Sequence, residues 1–155
     1  LSELIVHPRI QKEFYKGVPH RDAWAAVSGP WPAVYNGDIF TPEDAAALCQ
    51  DYPGTNAVML GRGLMRDPAL LRRLRGGPAA SAQELRTYHD RLLEAYRQRL
   101  SGDQPVMHRM WELWAYLSAG FARPEPYLKR MRKAKNLSEY RAAVDALFRE
   151  QRYTT

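Results

Sequence analysis

A chain of 155 residues with 45% hydrophobic residues is long enough to bury a core, and its composition excludes collagen, a disulfide scaffold and wholesale disorder. Its single cysteine, Cys49, rules out an internal disulfide and a cysteine metal cluster within one copy, so a reducing cytoplasm and no bound metal are expected. The formal net charge of +6 favours an anionic partner; no apolar run approaches the roughly 20 residues that span a bilayer, and no basic region followed by an apolar stretch opens the sequence, so membrane and export are not expected.

In chain order, short apolar runs rich in β-branched residues predict buried strands at Leu4–Val6 and over residues 32–35 and 57–60. Helices are predicted over residues 21–27, over 42–49 with Thr41 as N-cap and Pro42 at the first position, and over 68–74 with Asp67 in the same capping role. Alternating strands and helices with continuous apolar strands imply parallel β/α units, which need neighbours on both sides of each strand. Three such units cannot close a barrel, and the chain opens on Leu1 almost inside a strand, as a fragment would. An isolated piece of this kind is expected to expose strand edges and an apolar face, and to self-associate.

Residues 76–82, Gly-Gly-Pro-Ala-Ala-Ser-Ala, read as a linker, and residues 83–155 read as a second, all-helical domain, a small bundle. Leu85, Tyr88, Leu92 and Tyr96 share one face of a first helix, and Met107, Met110, Trp111, Trp114, Leu117 and Phe121 line a second. Both tryptophans are assigned to the core. A third helix is predicted from Tyr127, and a fourth with Asn136 as N-cap, Glu139 three residues on, and Tyr140, Val144, Leu147 and Phe148 facing inward. Residues 149–155 read as a frayed tail. Cys49, set among Ala45, Ala46, Ala47 and Leu48, reads as a small packed thiol.

The residues with chemical potential follow the strands. His7-Pro8-Arg9, Asn36-Gly37-Asp38 and Gly61-Arg62-Gly63 each fall at a strand's C-terminal end, where barrel enzymes of the (β/α) type place their working residues. Glycines there let backbone N–H groups approach phosphate oxygens, and an arginine adds a fixed charge, so Gly37, Gly61, Arg62 and Gly63 fit a phosphate site; the plain alternative is that the glycines only turn the chain. A cluster of Lys129, Arg130, Arg132, Lys133 and Lys135, preceded by Arg123, has the character of a phosphate-tracking surface, with a solvated helix face as the alternative. Arg72, Arg73 and Arg75 extend the same positive field.

His7-Pro8-Arg9, with Gln11 and then Tyr15-Lys16-Gly17, resembles the segment of the tRNA-dihydrouridine synthase family in which a histidine, an arginine and a downstream tyrosine–glycine pair follow a barrel strand. Asn36-Gly37-Asp38-Ile39 and Met59-Leu60-Gly61-Arg62-Gly63 are similar to that family's remaining C-terminal signatures, in the same order. Residues 108–148 also resemble its C-terminal tRNA-binding domain, less specifically. The resemblance implies the last three β/α units of a TIM (β/α)8 barrel over residues 1–75, FMN as cofactor, NADPH as reductant, and reduction of the C5–C6 double bond of uridines in tRNA. It implies flavin contacts for His7, Asn36, Gly37 and Asp38, a flavin-phosphate site at Gly61 and Arg62, and weaker RNA or flavin contacts for Arg9 and Lys16. Ile10 departs from the family, which commonly has threonine there.

The family's proton-donating cysteine lies on an earlier strand, before Leu1, so no catalytic residue is expected in this chain and the chain alone is expected to be inactive; a missing N-terminal half of the barrel is the implied partner. Two other readings stay open: a different phosphate-binding barrel enzyme acting on a small molecule, and a non-catalytic RNA-binding remnant. Which tRNA uridine is modified is not legible.

Overall fold

The computed structural model describes residues 2–14, 16–27 and 30–154. The Tyr15 of the first motif lies outside them. Strands β1 (Leu4–Val6), β2 (Ala33–Asn36) and β3 (Val58–Met59) form one parallel sheet in the order β1-β2-β3. Leu4 pairs with Ala33 and Val6 with Tyr35, and Tyr35 in turn pairs with Val58, so the three C-terminal strand ends lie side by side. Between them run α1 (Arg21–Ala25) and α2 (Pro42–Asp51), and after β3 come α3 (Arg62–Arg66) and α4 (Leu70–Leu74).

Local chemistry explains these boundaries. Thr41 Oγ1 accepts from Asp44 N at 3.1 Å while the Asp44 carboxylate accepts from Thr41 N at 2.9 Å, a reciprocal cap that starts α2 where the sequence predicts. Asp67 caps a turn, accepting from Ala69 N at 2.9 Å, and α4 starts only at Leu70, two residues later than the predicted helix. The Gly61–Gly63 segment is also more structured than a bare loop, since α3 begins at Arg62.

Trp24, Tyr35, Ile39, Ala45 and Leu48 form the core of this part. Trp24 meets Tyr35 edge-on at 5.3 Å, and its indole N–H donates to Thr55 Oγ1 at 2.9 Å, which satisfies the buried polar tip. Leu4, Ile5 and Met59 remain over 40% exposed on the outer strands, the expected apolar exposure of three strands that have no further neighbours among the described residues. Cys49 is exposed: α2 turns it away from the face carrying Ala45 and Leu48, which corrects the packed-thiol reading.

The remaining helices are α5 (Ala82–Arg99), α6 (Asp103–Leu117), α7 (Glu125–Lys133) and α8 (Leu137–Glu150). Ser81 caps α5 reciprocally with Glu84, and Asn136 Oδ1 caps α8 by accepting from Glu139 N at 2.9 Å. Their shared core holds Leu85, Leu93, Met110, Trp114, Leu117, Tyr140, Val144 and Leu147. On α5 the deepest line runs through Leu85, His89 and Leu93, with Tyr88, Leu92 and Tyr96 beside it. Trp111 is only half-buried and carries the Arg132 guanidinium over its ring at 5.8 Å, so its assignment to the core is corrected.

The frayed-tail reading is also corrected. Residue Tyr153 bridges to Phe121 in antiparallel fashion, its ring lies against Gly120, and Thr154 N donates to the Gly120 carbonyl at 2.7 Å. Residues 76–81 are not helical but are tied down, because Arg72 donates to the carbonyls of Pro78 and Ala79 and pairs with Glu84 at 2.8 Å. Arg73 pairs with Asp67 at 2.7 Å. Two of the three arginines taken to extend the positive field are thus neutralised where they stand.

Candidate functional site

A cavity of about 250 Å³ opens at the C-terminal ends of the three strands, lined by residues that include His7, Asn36, Asp38, Gly61, Arg62 and Gly63. Parallel pairing with no stagger between β1 and β2 sets His7 beside Asn36, and His7 Nδ1 donates to the Asn36 carbonyl at 2.5 Å. That bond fixes the ring's orientation and leaves Nε2 as the nitrogen able to meet a ligand.

Asp38 ties the three strand ends together. Its carboxylate receives Arg9, from the loop after β1, at 2.7 Å and 3.2 Å, and also receives Arg62 from the loop after β3. Burial by itself would raise the Asp38 carboxyl, but the hydrogen bond from Arg9 and the charges of Arg62 and Arg9 outweigh it and hold the group below the usual carboxylate range. Two guanidinium groups against one carboxylate leave the cluster with a net positive charge, suited to an anion.

Glycine identity is decided by close approach. A Cβ on Gly63 would stand 2.1 Å from the Ile39 carbonyl oxygen, so only glycine lets the first turn of α3 press on the loop after β2 and carry Arg62 to Asp38. At Gly61 the opposite holds: beyond its own residue and its two chain neighbours, no described protein atom lies within 4 Å of a Cβ position, and the backbone stands open at the cavity wall. The first N–H groups of α3 have no intrahelical acceptor by helix geometry. The donors, the net charge and the bare glycine backbone all fit a phosphate group. At about 250 Å³ the space takes a phosphoryl group and its link rather than a whole cofactor, for which pockets of roughly 300–1,000 Å³ are usual.

The predicted RNA contacts separate. Arg9 has a side chain only 2% exposed and works as a strut, its guanidinium spanning Asp38 and the Gly17 carbonyl at 2.7 Å. Lys16 is exposed on the same loop. Lys129, Arg130, Arg132 and Lys133 are exposed on α7 while Tyr127 and Met131 of that helix turn inward; Arg123 and Lys135 flank it, also exposed. Among the described residues none of these six makes an ion pair within 4.0 Å. Tyr127 and Tyr140 are both buried.

One constellation escaped the sequence. His89, Trp114 and Tyr140, each 1% exposed, form a polar chain inside the helical core. The Trp114 indole N–H donates to the Tyr140 oxygen at 2.7 Å, the Tyr140 hydroxyl donates to His89 Nε2 at 2.7 Å, and His89 Nδ1 donates to Asp90 at 2.9 Å. Burial pushes the His89 imidazolium down and the Tyr140 hydroxyl up. The only hint in the sequence was a histidine one position off the apolar stripe. No helix among the described residues is long and apolar enough to cross a membrane.

The chain is also similar in sequence to known proteins. The chain is 30% identical to the tRNA-dihydrouridine(16) synthase of Salmonella typhimurium over 155 residues, covering 94% of this chain and 47% of that protein. It is 36% identical to the enzyme of the same name from Ralstonia nicotianae over 77 residues, covering 48% of this chain and 23% of that protein. Against the tRNA-dihydrouridine synthase B of Shewanella oneidensis it is 37% identical over 76 residues, covering 48% and 23%. The chain spans about half the length of the longest-matching of these relatives. The family model described as dihydrouridine synthase matches residues 1–152, and the chain belongs to that family.

Proposed function

We propose that this chain supplies the flavin-phosphate site and a tRNA-binding surface of a tRNA-dihydrouridine synthase that uses FMN, with NADPH as reductant. The observation that carries this reading is the convergence of His7, Asn36, Gly37, Asp38, Gly61 and Arg62 on one cavity at three adjacent parallel strand ends. Gly61 and Arg62 would hold the phosphate through backbone N–H groups and guanidinium charge; Asn36, Gly37 and His7 Nε2 would line the path of the attached chain. Asp38 and Arg9 are positioning residues, since Arg9 is held by Asp38 and the Gly17 carbonyl, and Asp38 by Arg9 and Arg62. When bound, FMN supplies the hydride that reduces the uridine double bond.

Residues 1–75 would be part of a TIM barrel and residues 83–155 a separate helical domain joined by residues 76–82. A closed barrel of this type takes eight strands, so the reading requires five strands, and the family's acidic cysteine, from outside these residues. Exposed Lys129, Arg130, Lys133, Lys135 and Arg123 would meet the tRNA backbone, whose recognition by charge alone favours no sequence. This surface favours the synthase over a barrel enzyme for a small molecule, which has no use for it.

The test is FMN binding by the chain, followed by quenching of flavin fluorescence, with Arg62→Gln beside the wild type. A charge-assisted contact is worth roughly 1.5–3 kcal/mol, so Arg62→Gln should weaken binding by about 10- to 100-fold. Equal binding by both proteins would remove Arg62 from the phosphate site.

A further inference from the structure

The loop between β1 and α1 carries a feature that packing does not explain. Phe14 is 73% exposed, and with φ at +49° it is the one non-glycine residue among those described that adopts the left-handed backbone. A residue with a Cβ pays for that conformation, and such strain persists where the surroundings over-determine it. A ring in solvent returns nothing to the fold in exchange. Ile10 and Val18 of the same loop are 60% and 80% exposed, and Lys12 and Lys16, each two positions from Phe14 in the chain, are exposed as well.

The surroundings do over-determine the loop. Glu13 accepts from Ile10 N at 3.2 Å and meets His20 Nε2 at 2.8 Å, Phe14 N donates to the Gln11 carbonyl, and His20 N donates to the Pro8 carbonyl at 2.7 Å. Arg9 then joins the loop to the cavity wall, one guanidinium nitrogen reaching both the Gly17 carbonyl and Asp38 at 2.7 Å. The loop that carries the aromatic ring is therefore braced, and Arg9 ties it to the wall of the candidate phosphate site.

We propose that Phe14 is a base-stacking residue: its ring takes an unpaired base of the RNA at the rim of the site, with Lys12 and Lys16 on the neighbouring phosphates. The inference rests on the tRNA reading above and adds a positioning residue to it. A fixed, solvent-facing ring is what a splayed base needs, because every base has a π-face, and order before binding lowers the entropic cost of capture. The two lysines decide between an RNA and an apolar protein partner, since Glu13, the acid between them, is paired with His20 rather than with either lysine.

The experiment measures tRNA affinity of the full chain by filter binding across a salt series, together with FMN binding, for wild type, Phe14→Ala, Phe14→Trp and Lys129→Ala/Arg130→Ala. Stacking on one aromatic is lost with a penalty on the order of 5- to 100-fold in affinity, so Phe14→Ala should fall by that factor with an unchanged salt slope and unchanged FMN binding, while Phe14→Trp keeps the affinity. Phe14→Ala binding tRNA as well as wild type, while the α7 variant weakens, overturns the proposal and leaves the tRNA reading standing. Phe14→Ala changing only the sedimentation of the chain also overturns it, and assigns the patch to contacts between copies. No tRNA binding by the wild type at low salt overturns both.

Discussion

Tyr140→Phe removes a single oxygen from the centre of the helical core and tests whether the buried polar chain is real. The Tyr140 oxygen accepts from Trp114 and its hydroxyl donates to His89, and all three side chains are 1% exposed. The substitution leaves the ring and its packing in place and strands two buried groups, the indole N–H and His89 Nε2. An orphaned buried group costs about 1–3 kcal/mol, so the expected loss is about 3 kcal/mol. For a chain of this size each kcal/mol moves Tm by about 2–4 °C, which places the fall at about 6–12 °C. Thermal and urea unfolding followed by circular dichroism measures it, and Trp114→Phe combined with Tyr140→Phe should cost less than the two changes summed, because the second removes a group the first has already orphaned. A fall below about 2 °C, or strict additivity, would refute the network.

Acidity should act on the same place. Burial lowers the folded-state pKa of His89, so its stabilising effect is whole above the unfolded value of about 6.5 and shrinks as the pH drops below it, when the unfolded chain takes up a proton that the folded chain resists. Stability measured from pH 8 to 5 should decline below about 6.5, and His89→Gln should flatten that decline. Gly63→Ala should destabilise the sheet part by about 1–3 kcal/mol, since the new Cβ would stand 2.1 Å from the Ile39 oxygen. The same variant should lose FMN affinity as Arg62 is pushed off Asp38; unchanged melting and binding would show that the loops do not press together. Alanine at Lys129, Arg130 and Lys133 should weaken tRNA binding uniformly across tRNA species and reduce the salt slope by roughly 0.7–0.9 per lost phosphate contact. A loss confined to one tRNA would contradict a backbone-tracking surface.

The alternation of short apolar runs with capped helices was legible because it depends on neighbours in sequence. Thr41 and Asn136 cap where their spacing to Asp44 and Glu139 requires, and three strands at residues 4–6, 33–36 and 58–59 carry their polar triplets at the same end. The motifs around His7, Asn36 and Gly61 were legible for the same reason, and parallel β/α order places such triplets on one rim. What the partners of each side chain would be was not. Arg9 read as a weaker RNA or flavin contact, and its side chain lies against Asp38; Arg72 and Arg73 read as a positive field and are instead paired with Glu84 and Asp67. Charge is a local property of sequence, but its neutralisation depends on which distant acid the fold brings within reach.

Trp111, Cys49, His89 and the last residues follow the same rule. Helical periodicity places an apolar stripe to within about one residue in each turn, and whether a flanking position is covered depends on the crossing of another helix. Thus Trp111 is left half-open beneath Arg132, Cys49 is turned to solvent, and His89 is enclosed with Tyr140 and Trp114. Residues 149–155 lack a core stripe, and only the proximity of Phe121 and Gly120 gives Tyr153 a surface to close on. The sequence by itself determined the order of elements, their caps and the triplets at the strand ends, because those are written in spacings of two to four residues. The tertiary structure alone decided which charges are spent, which glycines are obligatory and which aromatics are exposed, because those depend on contacts between residues tens of positions apart.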